Sequence, residues 1–132
     1  MNLQIKIIGA LFILVAILHV FFPGYFNWKK DLAPLSLINR QMMQVHLFFI
    51  AFGVFLIGLL CLTSSDMLLH TILGKRISLG LGIFWTVRLF FQLFVYSARL
   101  WKGKRFETMV HTGFSIIWAY VSIVFLLCYL AN

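Results

Sequence analysis

The chain has 132 residues, of which 63% are hydrophobic and 11% charged, and its mean hydropathy is +1.03. A soluble domain carries about 25% charged residues, so this composition excludes an ordinary soluble domain and favours a membrane protein. The formal net charge is +8, but the basic residues lie mainly in short connections between apolar runs, where they meet the lipid bilayer and not a nucleic acid.

Four apolar runs predict membrane-spanning helices, at about residues 5–22, 41–62, 77–97 and 106–130. Their lengths suit a hydrocarbon layer of about 30 Å crossed at about 1.5 Å per residue. The first run is followed by Pro23 and Gly24, which we expect to end it, and no small-x-small cleavage site marks it as a removed signal. The sequence therefore predicts one all-α membrane domain over residues 1–132, arranged as an up-down bundle of four transmembrane helices.

Basic residues are distributed unequally between the two sides of such a bundle. The first and third connections carry seven of them, and the opposite side carries three. By the positive-inside rule, the first and third connections face the cytoplasm, and both termini lie on the non-cytoplasmic side of the cell inner (plasma) membrane. The residues on the richer side are Lys29, Lys30, Arg40, Arg99, Lys102, Lys104 and Arg105, and those on the other side are Lys6, Lys75 and Arg76.

Three histidines are predicted at one depth by this topology. His19 lies near the end of the first span, and His46 and His111 lie about five residues into the second and fourth. Five residues of helix measure roughly 7 to 8 Å, so all three fall just below the cytoplasmic headgroups. Ionisable groups inside a membrane are costly, and their convergence makes this layer the candidate functional site.

The third span contributes a polar stripe to the same layer. Arg88, Gln92 and Tyr96 follow one another at steps of four residues, which places them on one helix face. Arg88 starts nearer the middle of the span, and its long side chain reaches towards the layer. The stripe therefore supplies candidate cofactor- or ligand-binding side chains opposite the histidines.

A b-type haem is the first cofactor that this pattern suggests. In an up-down bundle the second and fourth spans are diagonal neighbours, so His46 and His111 could ligate one iron from both sides. Arg40, Arg88 or Arg99 would hold the propionates, and Gln92 and Tyr96 complete the predicted cofactor-binding set. The chain would then be a small electron-transfer or quinone-reactive subunit.

A metal site is the second alternative. His19, His46 and His111 could together supply three imidazoles, with an open fourth position that suits zinc or copper. The spacing contains no local motif such as H-x-x-H or H-E-x-x-H, so the hypothesis depends on the topology alone.

The stretch from Arg40 to His46 supports a third alternative. The size and the four-span layout are similar to those of the membrane-associated eicosanoid and glutathione metabolism family, whose second span also starts with a basic and polar motif. The acidic residue that follows in that family is replaced here by the apolar run Leu47 to Phe52. The resemblance implies a lipophilic-anion-binding membrane enzyme, with a lipid or thiol-conjugate pocket, but it transfers no catalytic residue.

Each polar residue also has a purely structural interpretation. Membrane histidines often join helices as neutral hydrogen-bonding groups, and Arg88 could pair with carbonyl groups or with another subunit. The chain would then be an accessory or assembly subunit of a larger membrane complex, or a homo-oligomer. Cys61 and Cys128 lie near the ends of apolar runs, where they could be buried apolar side chains or a disulfide.

Overall fold

The computed structural model describes residues 1–25, 27–95 and 103–130, and none of these residues belongs to a β-strand. The helices in these residues are α1 (Asn2–Tyr25), α2 (Trp28–Asp31), α3 (Leu37–Thr63), α4 (Ser65–His70), α5 (Ile72–Phe90), the π-helical turn Phe91–Val95, and α6 (Arg105–Leu130). Within the described ranges, four helices are long and apolar enough to cross a membrane: α1, α3, α6, and α5 together with the π-helical turn that continues it.

The chain divides into two compact units. One unit comprises residues 6–65 and contains most of α1 together with α2 and α3. The other comprises residues 1–5 and 66–132 and contains α5, the π-helical turn and α6. Each unit is therefore built on one pair of long helices.

The helix pair in residues 6–65 meets through two glycines. A Cβ atom at Gly9 would lie 2.8 Å from the carbonyl oxygen of Gly58, and one at Gly58 would lie 2.9 Å from the carbonyl oxygen of Gly9. Gly9 also neighbours Cys61 and Leu62, whereas Gly58 neighbours Phe12. Later residues of α1 thus meet earlier residues of α3, so the two helices are antiparallel, and small residues let their backbones touch.

The helix pair in the other unit is also antiparallel. Gly82 of α5 faces the end of α6, because a Cβ atom there would lie 2.7 Å from Cδ2 of Leu126. Ten residues further along the chain, in the π-helical turn that continues α5, Gln92 contacts His111 in the first half of α6. The start of α1 belongs to this unit, where Tyr120 donates a hydrogen bond to Oε1 of Gln4.

The long helices extend beyond the predicted spans, and the capping residues explain this. Ser36 accepts a hydrogen bond from the backbone N–H of Asn39, and Thr71 accepts one from Gly74, so α3 and α5 begin upstream of the apolar runs. Pro23 does not end α1, which continues to Tyr25. A proline this close to the end of a helix removes a single intrahelical hydrogen bond, and the last turn still forms.

Candidate functional site

Three of the predicted site residues form a hydrogen-bonded chain between α5 and α6. Nη1 of Arg88 donates to Oε1 of Gln92 at 3.2 Å. Nε2 of Gln92 lies 3.0 Å from Nδ1 of His111. Arg88 and His111 are half-buried, and Gln92 is only 7% exposed. This Arg88–Gln92–His111 relay therefore joins the two helices through one buried and two half-buried polar groups, which are costly in an apolar setting unless they are hydrogen-bonded.

The relay fixes which ring nitrogen of His111 carries the proton. A guanidinium group has only donors, so Gln92 must present its carbonyl oxygen to Arg88 and its NH₂ group to His111. Nδ1 of His111 is then an acceptor, and the proton of the neutral ring lies on Nε2. A histidine that binds iron or zinc through Nε2 needs the opposite tautomer, with Nδ1–H as a donor. The hydrogen bonds of the relay are therefore incompatible with metal binding through Nε2 of His111.

The backbone departs from the α-helix where Gln92 turns towards α6. Residues Phe91–Val95 form a π-helical turn, and the N–H of Phe91 is shared between the carbonyl groups of Val87 and Arg88. Single π-helical turns inside helices are rare and occur frequently at functional sites, because they widen the helix and re-aim its side chains. The distortion thus coincides with the central residue of the relay.

An aromatic cluster lies beside the relay. The rings of Trp85 and Trp118 stack with their centroids 4.6 Å apart and their planes at 10°. The ring of Phe114 also lies beside Trp118, with the two ring centroids 5.8 Å apart. Cζ of Arg88 lies 5.7 Å from the centre of the Trp118 ring, within the range of a cation–π interaction. Trp118 consequently connects the apolar cluster to the positive charge.

The indole N–H of Trp118 is a buried donor that no described residue accepts. Trp118 is 4% exposed, and its Nε1 has no hydrogen-bond partner among the described residues. Ser115 and Ser122 on the same helix donate their hydroxyl protons to carbonyl groups, at 2.8 and 2.7 Å, and neither accepts a hydrogen bond from this N–H. A buried donor without an acceptor costs about 1–3 kcal/mol, so this N–H is a candidate contact for a bound molecule.

The other predicted site residues lie in residues 6–65 or outside the described residues. Nδ1–H of His19 donates to the carbonyl oxygen of Val15 at 2.7 Å. His46 is exposed on α3, and Nη1 of Arg40 lies 3.5 Å from the carbonyl oxygen of Ala33. Tyr96 and Arg99, which the sequence assigned to the cofactor site, fall in the segment 96–102, outside the described residues.

The histidines predicted to bind metal divide between the units. His19 and His46 lie in residues 6–65, and His111 lies in the other unit. Within each unit, the described His, Cys, Asp and Glu side chains form no group of three that could hold a metal ion. Zinc, copper and haem therefore stay predictions from the sequence. Cys61 and Cys128 are both described, and each is a buried thiol that is not bridged.

Trp85 is one of the site residues that the sequence interpretation missed. It lies three residues before Arg88 and seven before Gln92, so a helix places all three on neighbouring parts of one face. That spacing was the available signal. It was hidden because the span also contains many other aromatic residues.

No protein-family model, no curated protein and no solved structure matches this chain. The likeness to the membrane-associated eicosanoid and glutathione metabolism family stays a resemblance of size, span layout and the stretch from Arg40 to His46.

Proposed function

We propose that this chain is a multi-pass protein of the inner membrane that binds a small lipophilic anion on α5 and α6. Four helices of membrane-spanning length and composition support the insertion. The excess of basic residues in the first and third connections supports an up-down arrangement with both termini on the non-cytoplasmic side. In this orientation the relay lies in the cytoplasmic half of the bilayer.

The observation that carries the ligand proposal is the buried indole N–H of Trp118. No described residue accepts a hydrogen bond from this N–H. The guanidinium group of Arg88 lies over the same indole ring. A ligand oxygen placed there would accept a hydrogen bond from the indole and interact with the positive charge. Hydrogen bonds to charged groups are worth about 1.5–3 kcal/mol, roughly twice as much as neutral ones.

The side chains around the indole N–H indicate which groups the ligand carries in addition to its anionic oxygen. The rings of Trp85, Phe114 and Trp118 offer an apolar surface beside the polar groups. Binding sites for small molecules commonly combine an apolar wall with a few polar groups that fix the orientation. The chemical class that fits is a carboxylate or a similar anion attached to an apolar chain or ring.

The test compares two ligands that differ only in charge. We expect the detergent-purified chain to bind oleic acid more tightly than oleyl alcohol. Replacing Arg88 with Gln should remove that preference and weaken oleate binding about 10- to 100-fold, as expected for losing a charge-assisted hydrogen bond. Affinities from isothermal titration calorimetry in matched detergent would measure both effects.

Arg76→Gln is the matched control, because it removes the same charge from the exposed start of the same helix. It should leave the preference for oleate unchanged. Equal affinities of the wild-type chain for the acid and the alcohol would contradict the proposal. So would an equal loss of oleate binding in both variants.

The membrane topology is tested separately from the ligand. In a chain with Cys61 and Cys128 replaced by Ala, a cysteine placed at Lys30 should react with an impermeant maleimide only after the inner membrane is opened. A cysteine placed at Lys75 should react in intact spheroplasts. The reverse pattern would overturn the orientation and leave the ligand proposal standing.

A further inference from the structure

A cavity lies in the connection that follows α1. It has a volume of about 300 Å³ and is lined by Pro23, Gly24, Asn27, Lys29 and Lys30. A Cβ atom added to Gly24 would meet nothing within 4 Å, so the cavity is open on that side. Two adjacent lysines thus border an open space at the end of a helix of membrane-spanning length.

The backbone at Asn27 shapes this cavity. Asn27 has φ 55° and ψ 46°, in the left-handed region that few residues other than glycine adopt, although asparagine is one of the most tolerant. Its carbonyl oxygen accepts hydrogen bonds from the N–H groups of Lys30 and Asp31, at 3.1 and 3.0 Å. The tight turn therefore brings both lysines back beside the end of α1.

The charge in this region is positive and largely uncompensated. Lys29 and Lys30 are exposed, and neither forms an ion pair or a side-chain hydrogen bond with another part of the described chain. Asp31 is the only acidic residue between positions 6 and 65, and it is not among the residues that line the cavity. An anion in the cavity would meet two ammonium groups.

The surface beside the cavity is apolar. Val20 and Phe21, in the last part of α1, are 71% and 64% exposed. A phosphate group held by the lysines would have room to carry acyl chains along these side chains. A free phosphate ion would make no use of that surface, so the combination favours a lipid.

We propose that the cavity lined by Gly24, Asn27, Lys29 and Lys30 binds the phosphate headgroup of an anionic phospholipid. The proposal rests on the membrane insertion of α1 proposed above. Basic groups immediately cytoplasmic to a membrane helix attract anionic headgroups. Each lysine adds appreciably to this electrostatic attraction at low ionic strength. All the residues that line this cavity lie in residues 6–65, whereas the relay is formed by α5 and α6 of the other unit.

Native mass spectrometry of the full chain with added lipid tests this site. The probes are dioleoylphosphatidylglycerol, the zwitterionic dioleoylphosphatidylcholine and inorganic phosphate. We expect the wild-type chain to prefer phosphatidylglycerol. The double variant Lys29→Gln/Lys30→Gln should bind it about 30-fold more weakly, as expected for the loss of two lysines at a lipid surface.

Two further variants make the result specific. Lys75→Gln/Arg76→Gln removes another adjacent basic pair and should keep the wild-type affinity. Lys29→Arg/Lys30→Arg keeps the charge and should keep the preference. An equal loss in the Lys29/Lys30 and Lys75/Arg76 variants would overturn the site, since only net charge would then matter. Tight binding of inorganic phosphate without a preference for phosphatidylglycerol would overturn the assignment to lipid.

Extraction of membranes at alkaline pH separates this proposal from the one on which it rests. A chain that stays in the membrane but shows no preference for phosphatidylglycerol overturns the lipid site alone. A chain that alkaline buffer releases from the membrane overturns both the insertion and the lipid site.

Discussion

Both helix pairs consist of apolar helices of membrane-spanning length, but the two pairs are packed by different kinds of contact. In the pair formed by α1 and α3, the contact is a direct approach of two backbones at Gly9 and Gly58. In the pair formed by α5 and α6, the contact includes the Arg88–Gln92–His111 relay and the stacked rings of Trp85 and Trp118. The first pair needs only small residues in apolar surroundings.

The difference shows where function is to be sought. Close contact between glycines is sufficient to hold two membrane helices together, and it provides no polar side chain that could bind a ligand. Burying an arginine, a glutamine and a histidine is costly, and membrane proteins retain such groups mainly at functional sites. The polar pair also contains the π-helical turn. We therefore assign the binding of the lipophilic anion to the second pair, and a structural role to the contact between α1 and α3 in the first pair.

The largest expected effect is on the glycine contact. Replacing Gly58 with Val should lower the free energy of unfolding by about 1–3 kcal/mol or more, because the new Cβ would collide with the backbone oxygen of Gly9. Gly53→Val is the matched control on the same helix, since a Cβ there meets nothing within 4 Å. Thermal unfolding in detergent micelles measures both. Equal stability of the two variants would contradict the glycine contact.

A smaller effect is expected in the relay. Gln92→Leu removes the acceptor of Arg88 and the donor to Nδ1 of His111, so unfolding should become easier by roughly 1 kcal/mol, the usual scale for hydrogen bonds between membrane helices. The control is Gln44→Leu, which changes an exposed glutamine on α3. If both substitutions leave stability unchanged, the relay does not join the helices.

The smallest expected effect is that of the His111→Ala substitution on the haem absorption spectrum. The haem hypothesis requires a Soret band after haem supplementation that is lost in His46→Ala and in His111→Ala. The relay predicts no band that depends on His111, because Nε2 of that ring carries the proton. Gln92→Glu is the sharper comparison, since a carboxylate can accept from both Arg88 and Nδ1–H and would leave Nε2 able to ligate. A wild-type band that is lost in His111→Ala would contradict this arrangement of the relay.

The four long helices could be predicted from the sequence because long apolar runs are typical of helices of membrane-spanning length. The alignment of Arg88 and Gln92 also followed from their four-residue spacing. The partner of Gln92 did not, because the choice of facing residue on α6 depends on how the helices pack. The sequence carries no local signal for the π-helical turn, and the stacking of Trp85 on Trp118 depends on how the helices pack. The continuation of α1 through Pro23 shows, in addition, that a proline predicts a helix end only approximately.

Photo-crosslinking tests the central claim most directly. A diazirine-bearing fatty acid would be bound to the full chain in detergent, illuminated, and its attachment sites mapped by peptide mass spectrometry. We expect labelling of residues 72–95 and 105–130 that excess oleate suppresses. Arg88→Gln should strongly reduce this labelling, and Arg76→Gln should leave it unchanged. Labelling that is equally strong on α3, or labelling of α5 and α6 that oleate does not suppress, would contradict the assignment of this ligand to α5 and α6.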